Sequence, residues 1–130
     1  MFKNKLKSNA KKIDLFLKNY LKSQKRSLLI NPMNYGVLSG GKKIRSSVIF
    51  AAGKLYNLKL NNLLNICGAV ECIHSYSLIH DDLPCMDNDK LRRGKVTAHI
   101  KYGESTAVLA GNSLLTLAFE MISDKRFKIK

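Results

Sequence analysis

The sequence has no tryptophan, two prolines and three cysteines among its 130 residues, and nine acidic residues against 23 basic ones. The cysteines, Cys67, Cys72 and Cys85, form no C-x-x-C pair, which argues against a disulfide framework and a zinc knuckle. No run reaches the ~18 consecutive apolar residues of a membrane span. The start of the chain lacks the apolar core and small residues of a secretory signal. We therefore expect a protein of a reducing compartment, the cytoplasm.

What the sequence does contain is positive charge and a moderate apolar content, with a net charge of +14 and 45% hydrophobic residues. A chain of this length forms one domain rather than two. An excess of positive charge indicates an anionic partner, such as nucleic acid, a membrane surface or a phosphorylated small molecule. Solvated lysine faces explain the same composition, because 18 of the basic residues are lysines.

Apolar residues recur with helical spacing in four stretches: residues 3–24, 43–56, 61–82 and 104–123. The first stretch is amphipathic and basic, which favours a packed first helix over a membrane-surface helix or a transit peptide. Pro32 and three glycines predict a loop over residues 29–41, and residues 83–102 read as polar and mostly irregular. No alternation is long enough for a strand. The expected fold class is all-α.

Two of these predicted helices carry recognisable faces. The second has a row of apolar residues that lie on one helix face. These residues are Ile44, Val48, Ala51, Ala52 and Leu55. The fourth has small residues that permit close contact between helices, together with larger residues for the core. The small ones are Ala107, Ala110, Gly111 and Ser113.

Four of the nine acidic residues lie within nine positions, at Asp81, Asp82, Asp87 and Asp89. The first two fall at the C-terminal end of a predicted helix, where the backbone carbonyls already disfavour negative charge. Mg²⁺ would offset this charge, since it binds one or two carboxylates and completes its shell with water and phosphate. The D-D-x-x-x-x-D spacing brings Asp87 back over the helix end. A solvated acidic terminus, or one paired with lysines, is the alternative.

Two glycine-containing motifs carry basic residues, Gly40-Gly41-Lys42-Lys43-Ile44-Arg45 and Leu91-Arg92-Arg93-Gly94-Lys95. The first precedes a predicted helix, whose N-terminus favours anions, and Lys42 and Arg45 share a helix face. A glycine turn with capping charges is its alternative interpretation. Arg92 and Arg93 suit bidentate contacts to phosphate.

His74 lies two turns before Asp81 on nearly the same helix face, so we expect it to point along the wall that ends in the carboxylates. A structural or surface histidine is the alternative. Together, the acidic cluster, the basic motifs and the apolar helix between them favour an enzyme acting on phosphorylated, apolar substrates. Mg²⁺ would stabilise a phosphate leaving group in such an enzyme.

These residues resemble the trans-polyprenyl diphosphate synthase family, most closely its bacterial farnesyl diphosphate synthases. The resemblance runs from about residue 40 to about residue 123. Besides the two basic motifs, it rests on the block from Ala69 to Asp89, on Tyr102-Gly103-Glu104 and on Leu109-Ala110-Gly111-Asn112. The resemblance implies the N-terminal portion of an isoprenoid-synthase helical bundle around a central cavity, usually a homodimer.

The resemblance also implies Mg²⁺-dependent head-to-tail condensation of isopentenyl diphosphate with an allylic diphosphate, dimethylallyl or geranyl. Asp81 and Asp87 would bind the Mg²⁺ ions, supported by Asp82, and Arg92 would contact the allylic diphosphate. Four residues would hold isopentenyl diphosphate: Lys42, Arg45, His74 and Arg93. Tyr76 would lie in the path of the growing chain, as in the farnesyl type, unless it is a plain core residue.

Family members are more than twice as long and carry a second Asp-rich motif on a later helix. Here the match ends near Ser123, and residues 124–130 form a short basic tail. The expectation is a single partial synthase domain over residues 1–130 that lacks the second motif. Within the matched part, Lys43 stands where arginine is common and Ser46 where proline is common.

Three alternatives to a complete synthase follow from this departure and from the charge. The chain could be a truncated, inactive fragment, or a noncatalytic partner that joins a full-length synthase through its helices. A nucleic-acid-binding helical protein is suggested only by the charge. The acidic cluster argues against it, and so does the lack of aromatic residues beside the basic ones. We expect no nucleic acid partner.

Overall fold

The computed structural model describes residues 1–126, with the exception of the side chain of Phe2, and residues 127–130 of the expected basic tail lie outside that description. Its elements in chain order are α1 Phe2–Lys22, α2 Ile30–Val37, α3 Ile44–Leu55, α4 Leu60–Asp81, β1 Leu91–Arg92, β2 Lys95–Val96, α5 Ala98–Tyr102 and α6 Glu104–Ser123. Helices α1, α3, α4 and α6 coincide within two residues with the four predicted helices. The all-α class is confirmed.

Helix α2 occupies the centre of the stretch that the sequence predicts to be a loop, so the prediction for residues 29–41 is wrong there. Pro32 is the third residue of this helix. Backbone N–H groups in the first turn have no acceptor within the helix, so a proline there removes no helical hydrogen bond. Pro32, Met33 and Val37 are buried, and this apolar spacing outweighs the breaker residues.

The segment between α4 and α6 is more regular than its polar sequence predicts. Strands β1 and β2 pair antiparallel, and Arg93 and Gly94 form the tip with φ values of 52° and 75°. Two successive residues with positive φ make a tight turn whose twist matches that of a hairpin. The expectation of irregular structure therefore holds for residues 83–90 and is wrong for residues 91–102, which form the hairpin and α5.

The core lies between α4 and α6, which pack against each other most extensively, with α1, α2 and α3 around them. On α1 the predicted apolar stripe is fully buried at Ile13, Leu17 and Leu21. Burial of each such side chain stabilises the fold by roughly 2 kcal/mol. The small residues Ala107 and Gly111 of α6 are buried, which allows the close approach to α4 that the sequence predicts.

Helix α3 exposes much of its apolar face. Its apolar residues Val48 and Leu55 are 63% and 82% exposed, whereas Ser46, Phe50 and Gly53 are buried. A Cβ atom at Gly53 would overlap the side chain of Leu63 on α4. The close backbone approach at Gly53 and the buried hydroxyl of Ser46 thus set the orientation of α3 and leave its apolar side chains Val48 and Leu55 exposed.

Helix α6 is long and apolar enough to cross a membrane by length and composition. The core helix of a soluble bundle meets the same criterion. Here one face of α6 is buried and packs chiefly against α4, whereas Leu109, Phe119 and Ile122 are 53%, 58% and 44% exposed. This packing accounts for the apolar residues on the buried face of the helix.

Candidate functional site

A cavity of about 380 Å³ opens between the loop that follows α2, the start of α3 and the middle of α4. The four residues expected to hold isopentenyl diphosphate all line it: Lys42, Arg45, His74 and Arg93. They come from three separate stretches of the chain, so the fold brings them together as one group. We refer to this space as the basic cavity.

Two glycines shape the mouth of the basic cavity. Gly40 and Gly41 have φ values of 89° and 112°. Residues with a Cβ atom rarely adopt such values, whereas glycine adopts them readily. The guanidinium group of Arg93 donates a hydrogen bond to the carbonyl of Gly40. A Cβ atom at Gly41 would overlap that guanidinium group. The glycine pair therefore turns the chain and also admits Arg93 from the tip of the hairpin.

His74 lies on α4 within reach of Arg45, whose Nη1 is 3.5 Å from His74 Nε2. Burial lowers the pKa of His74, and the positive charge of Arg45 lowers it further. A guanidinium group can only donate, so Nε2 is the acceptor and the ring is neutral in this arrangement. The cavity is lined by Lys42, Arg45 and Arg93 and by the ion pair of Lys43 and Glu71, so its lining is net positive and favours an anion.

A buried ion-pair network under the basic cavity was not predicted from the sequence. Lys43 and Glu71 are 7% and 3% exposed, and Lys43 Nζ lies 3.3 Å from Glu71 Oε2. Ser46 Oγ donates to Glu71 Oε1 at 2.6 Å. The signal available in the sequence was a single acidic residue within the apolar run of α4, which requires a buried cation as its partner.

At the end of α4, Asp82 and Arg92 bind each other. Arg92 Nε donates to both carboxylate oxygens at 2.9 and 3.0 Å, and Nη2 donates to Oδ1 at 2.7 Å. Asp82 is 3% exposed, and its hydrogen bonds raise the pKa of Arg92. The resemblance implies that Asp82 supports the metal-binding Asp81 and Asp87 and that Arg92 contacts a diphosphate. The structure joins Asp82 and Arg92 in a bidentate pair.

Asp81 and Asp87 are brought close by the backbone. The N–H of Asp87 donates to the carbonyl of Asp81 at 2.8 Å, so the loop returns to the helix end as the spacing predicts. Asp81 is half-buried and Asp87 is exposed. Across residues 1–126, no three side chains of His, Cys, Asp or Glu come together as a metal site. Two hard carboxylates nevertheless fit Mg²⁺, which takes its other ligands from water and phosphate.

Asp81 opens onto a second cavity of about 420 Å³, termed here the tyrosine cavity, which Tyr76 also lines. The ring of Tyr76 contacts that of His80 edge to face, with centroids 4.6 Å apart. His80 Nε2 lies 3.1 Å from the carbonyl of Val108 on α6. His74 faces the basic cavity instead. His74 and Asp81 therefore do not line one common wall, as the sequence predicts, but face different cavities.

Comparison with known proteins gives this geometry a context. The family model of polyprenyl synthetase matches residues 26–129, a longer stretch than the motifs alone cover. The chain is 55% identical over 106 residues to a farnesyl diphosphate synthase of Buchnera aphidicola subsp. Acyrthosiphon pisum, covering 82% of this chain and 37% of that protein. It is 52% identical over 96 residues to the farnesyl diphosphate synthase of Escherichia coli, covering 74% of this chain and 32% of that protein.

Solved structures agree with the sequence relatives. A geranyltransferase from Legionella pneumophila superposes with a TM-score of 0.88 at 37% identity, covering 92% of this chain and 43% of that chain. A geranyltranstransferase from Thermotoga maritima gives a TM-score of 0.85 at 38% identity, covering 91% and 44%. The chain thus spans roughly a third of the length of these curated relatives. By the extent of the family match and by its fold, the chain belongs to the polyprenyl synthetase family.

Proposed function

We propose that this chain supplies the isopentenyl diphosphate site and the first Asp-rich motif for head-to-tail prenyl transfer. In this reaction isopentenyl diphosphate condenses with dimethylallyl or geranyl diphosphate to give farnesyl diphosphate in isoprenoid biosynthesis. The observation that carries the proposal is the basic cavity, which gathers Lys42, Arg45, Arg93 and His74 from separate stretches of the chain. Arginine and lysine at this density suit the several oxygens of a diphosphate.

The allylic diphosphate is assigned to the end of α4. Asp81 and Asp87 would hold Mg²⁺, which when bound neutralises negative charge on a departing diphosphate. Arg92 uses Nε and Nη2 to bind Asp82, so its Nη1 is the group that would contact the diphosphate. Asp82 accordingly acts as the residue that orients Arg92.

Product length is assigned to Tyr76. It lines the tyrosine cavity beside Asp81, and its ring is held against His80, which packs on α6. A prenyl chain growing away from a diphosphate at Asp81 would meet this ring. A smaller residue at position 76 would lengthen the path, so Tyr76→Ala is expected to shift products from the C15 to longer chains.

Association with another chain is the second part of the proposal. The exposed apolar face of α3, with Val48 63% and Leu55 82% exposed, favours a noncatalytic partner of a longer synthase as the alternative function. In the homodimer that the resemblance implies, a second copy of the chain would cover exposed apolar surface instead. Sedimentation velocity on the purified chain, alone and mixed with a full-length synthase, distinguishes the two forms of association.

A prenyl transfer assay tests the function directly. The chain is incubated with Mg²⁺, isopentenyl diphosphate and geranyl diphosphate, and products are identified by mass spectrometry. We expect farnesyl diphosphate, lost in Asp81→Asn and retained in the matched control Asp89→Asn, which carries the same change in the same loop. Binding of isopentenyl diphosphate without product would favour the noncatalytic alternative. A folded chain that neither binds nor converts the substrate would contradict both.

A further inference from the structure

Lys43 differs from its basic neighbours in being buried. Its side chain is 4% exposed, whereas the nearby Lys42 and Arg45 are exposed, although all three residues line the basic cavity. It also has φ 48° and ψ 45°, the left-handed conformation, immediately before the first residue of α3. A lysine in this conformation is strained by its own Cβ atom and keeps it only where the surroundings demand it.

The contacts of the Lys43 ammonium group explain why the residue keeps this conformation, because they connect α3 to three other helices. Nζ donates to the carbonyl of Val37, the last residue of α2, at 3.0 Å. It lies 3.3 Å from Glu71 Oε2 on α4 and 3.6 Å from Asp14 Oδ1 on α1. The start of α3 is thus tied to α1, α2 and α4 through one side chain at the floor of the basic cavity.

The network is closed on the α3 side by Ser46. Its hydroxyl donates to the second oxygen of Glu71, and its own carbonyl accepts from the thiol of Cys67 at 3.5 Å. Glu71 is therefore held from two directions by residues of the same short segment. A change that releases Lys43 from Glu71 would leave residue 43 free to relax to an ordinary φ, which would turn Lys42 relative to Arg45.

We propose that Lys43 is a positioning residue of the diphosphate site, whose ammonium group, anchored on Glu71 and Val37, fixes the backbone that presents Lys42 and Arg45 to the ligand. This inference rests on the proposed function of the basic cavity. It assigns the side chain of Lys43 to the floor of the cavity, where its ammonium group is held by Glu71 and Val37 rather than by the ligand. It also predicts that charge and reach matter at position 43, while contact with the ligand does not.

The test uses the full chain and inorganic pyrophosphate as the probe, with affinity measured by titration calorimetry. Lys43→Met alone would leave Glu71 buried without a partner, so the informative variant is Lys43→Met with Glu71→Gln, which removes both charges. We expect at least an about tenfold loss of affinity, since small misplacements of binding groups are costly. Lys43→Arg, which keeps the charge, should restore most of it. The matched control is Lys54→Met, the same change at an exposed position of α3.

A second readout separates positioning from mere folding. Amide ¹⁵N–¹H shifts of Gly40, Gly41 and Lys42 should change in the ligand-free double variant, while the rest of the spectrum stays dispersed. A folded double variant that binds pyrophosphate like the wild type, or keeps these loop shifts, overturns the role of Lys43 and leaves the proposed function standing. A wild-type chain that does not bind pyrophosphate overturns the proposed function, and the role of Lys43 with it.

Discussion

At the scale of single residues, the protonation of His74 determines how the basic cavity receives an anion. Burial and the adjacent Arg45 lower its pKa, so the ring is neutral in the free protein near neutral pH. A bound diphosphate adds negative charge beside the ring and favours the protonated form. We expect the His74 pKa, followed by NMR of the ring Cε1 proton, to lie below about 6.5 and to rise when pyrophosphate is added.

The same shift has a consequence for stability. Because the folded-state pKa is below the unfolded one, the unfolded chain binds more protons as pH falls through about 6.5, and folding stability decreases in that range. The loss should be smaller in His74→Gln, measured by urea unfolding at pH 7.5 and about 5.5. Arg45→Gln should raise the His74 pKa. An unchanged pKa in that variant would refute the role of Arg45.

The pair of Asp82 and Arg92 gives a second prediction for individual residues. Arg92→Met removes three hydrogen bonds from a carboxylate that is 3% exposed, and we expect a loss of about 3 kcal/mol in the free energy of unfolding. The double variant Arg92→Met with Asp82→Asn, which leaves no unpaired charge, should recover a large part of it. Additive losses in urea unfolding would show that the two residues are not coupled.

At the scale of helices, the contact of α4 with α6 depends on Gly111. A Cβ atom there would overlap the imidazole ring of His80, which supports Tyr76. We expect Gly111→Ala to cost about 1–3 kcal/mol from overpacking, minus up to about 1 kcal/mol from better helix propensity. The neighbouring Asn112→Ala, at an exposed position, is the matched control. Thermal unfolding measures both, and unchanged stability with an unshifted His80 resonance would contradict the prediction.

The helices also show which features of the fold can be predicted from the sequence. Apolar periodicity over ten or more residues gives α1, α3, α4 and α6 nearly to the residue, because a buried stripe is a local property. It misses α2, where proline and glycine count as breakers although Pro32 sits harmlessly in the first turn. It does not show which face of α3 is buried, because the contact of Ser46 with Glu71 joins residues 25 positions apart in the sequence.

In the candidate site, too, local motifs can be predicted from the sequence and long-range contacts cannot. The glycine-containing basic motifs identify Lys42, Arg45 and Arg93, which line the basic cavity, because the spacing of glycine, lysine and arginine is visible in one dimension. His74 is identified only by its position on a predicted helix. The pairing of Asp82 with Arg92 and the anchoring of Lys43 by Glu71 are not visible there. Both depend on which charged group is excluded from water, and only the packed structure determines that.

At the scale of the whole molecule, the net charge of +14 is spread over many exposed lysines, and any anion is attracted to such a surface. Attraction of this kind weakens as salt shortens the Debye length, about 10 Å at 0.1 M. A built cavity differs in holding its cations in fixed positions around the ligand. The relevant question is whether the affinity for pyrophosphate comes from total charge or from the arrangement in the basic cavity.

Two double variants with the same net charge distinguish the effect of total charge from that of the basic cavity. Lys42→Gln with Arg45→Gln removes two cations from the cavity, and Lys11→Gln with Lys12→Gln removes two exposed ones from α1. Each lost hydrogen bond between charged groups is worth about 1.5–3 kcal/mol, so the cavity variant should bind pyrophosphate at least roughly 100-fold more weakly. The α1 variant should bind within about threefold of the wild type at 0.15 M salt, where distant exposed charges are screened. Equal losses in calorimetry would mean that total charge, and not the cavity, holds the anion.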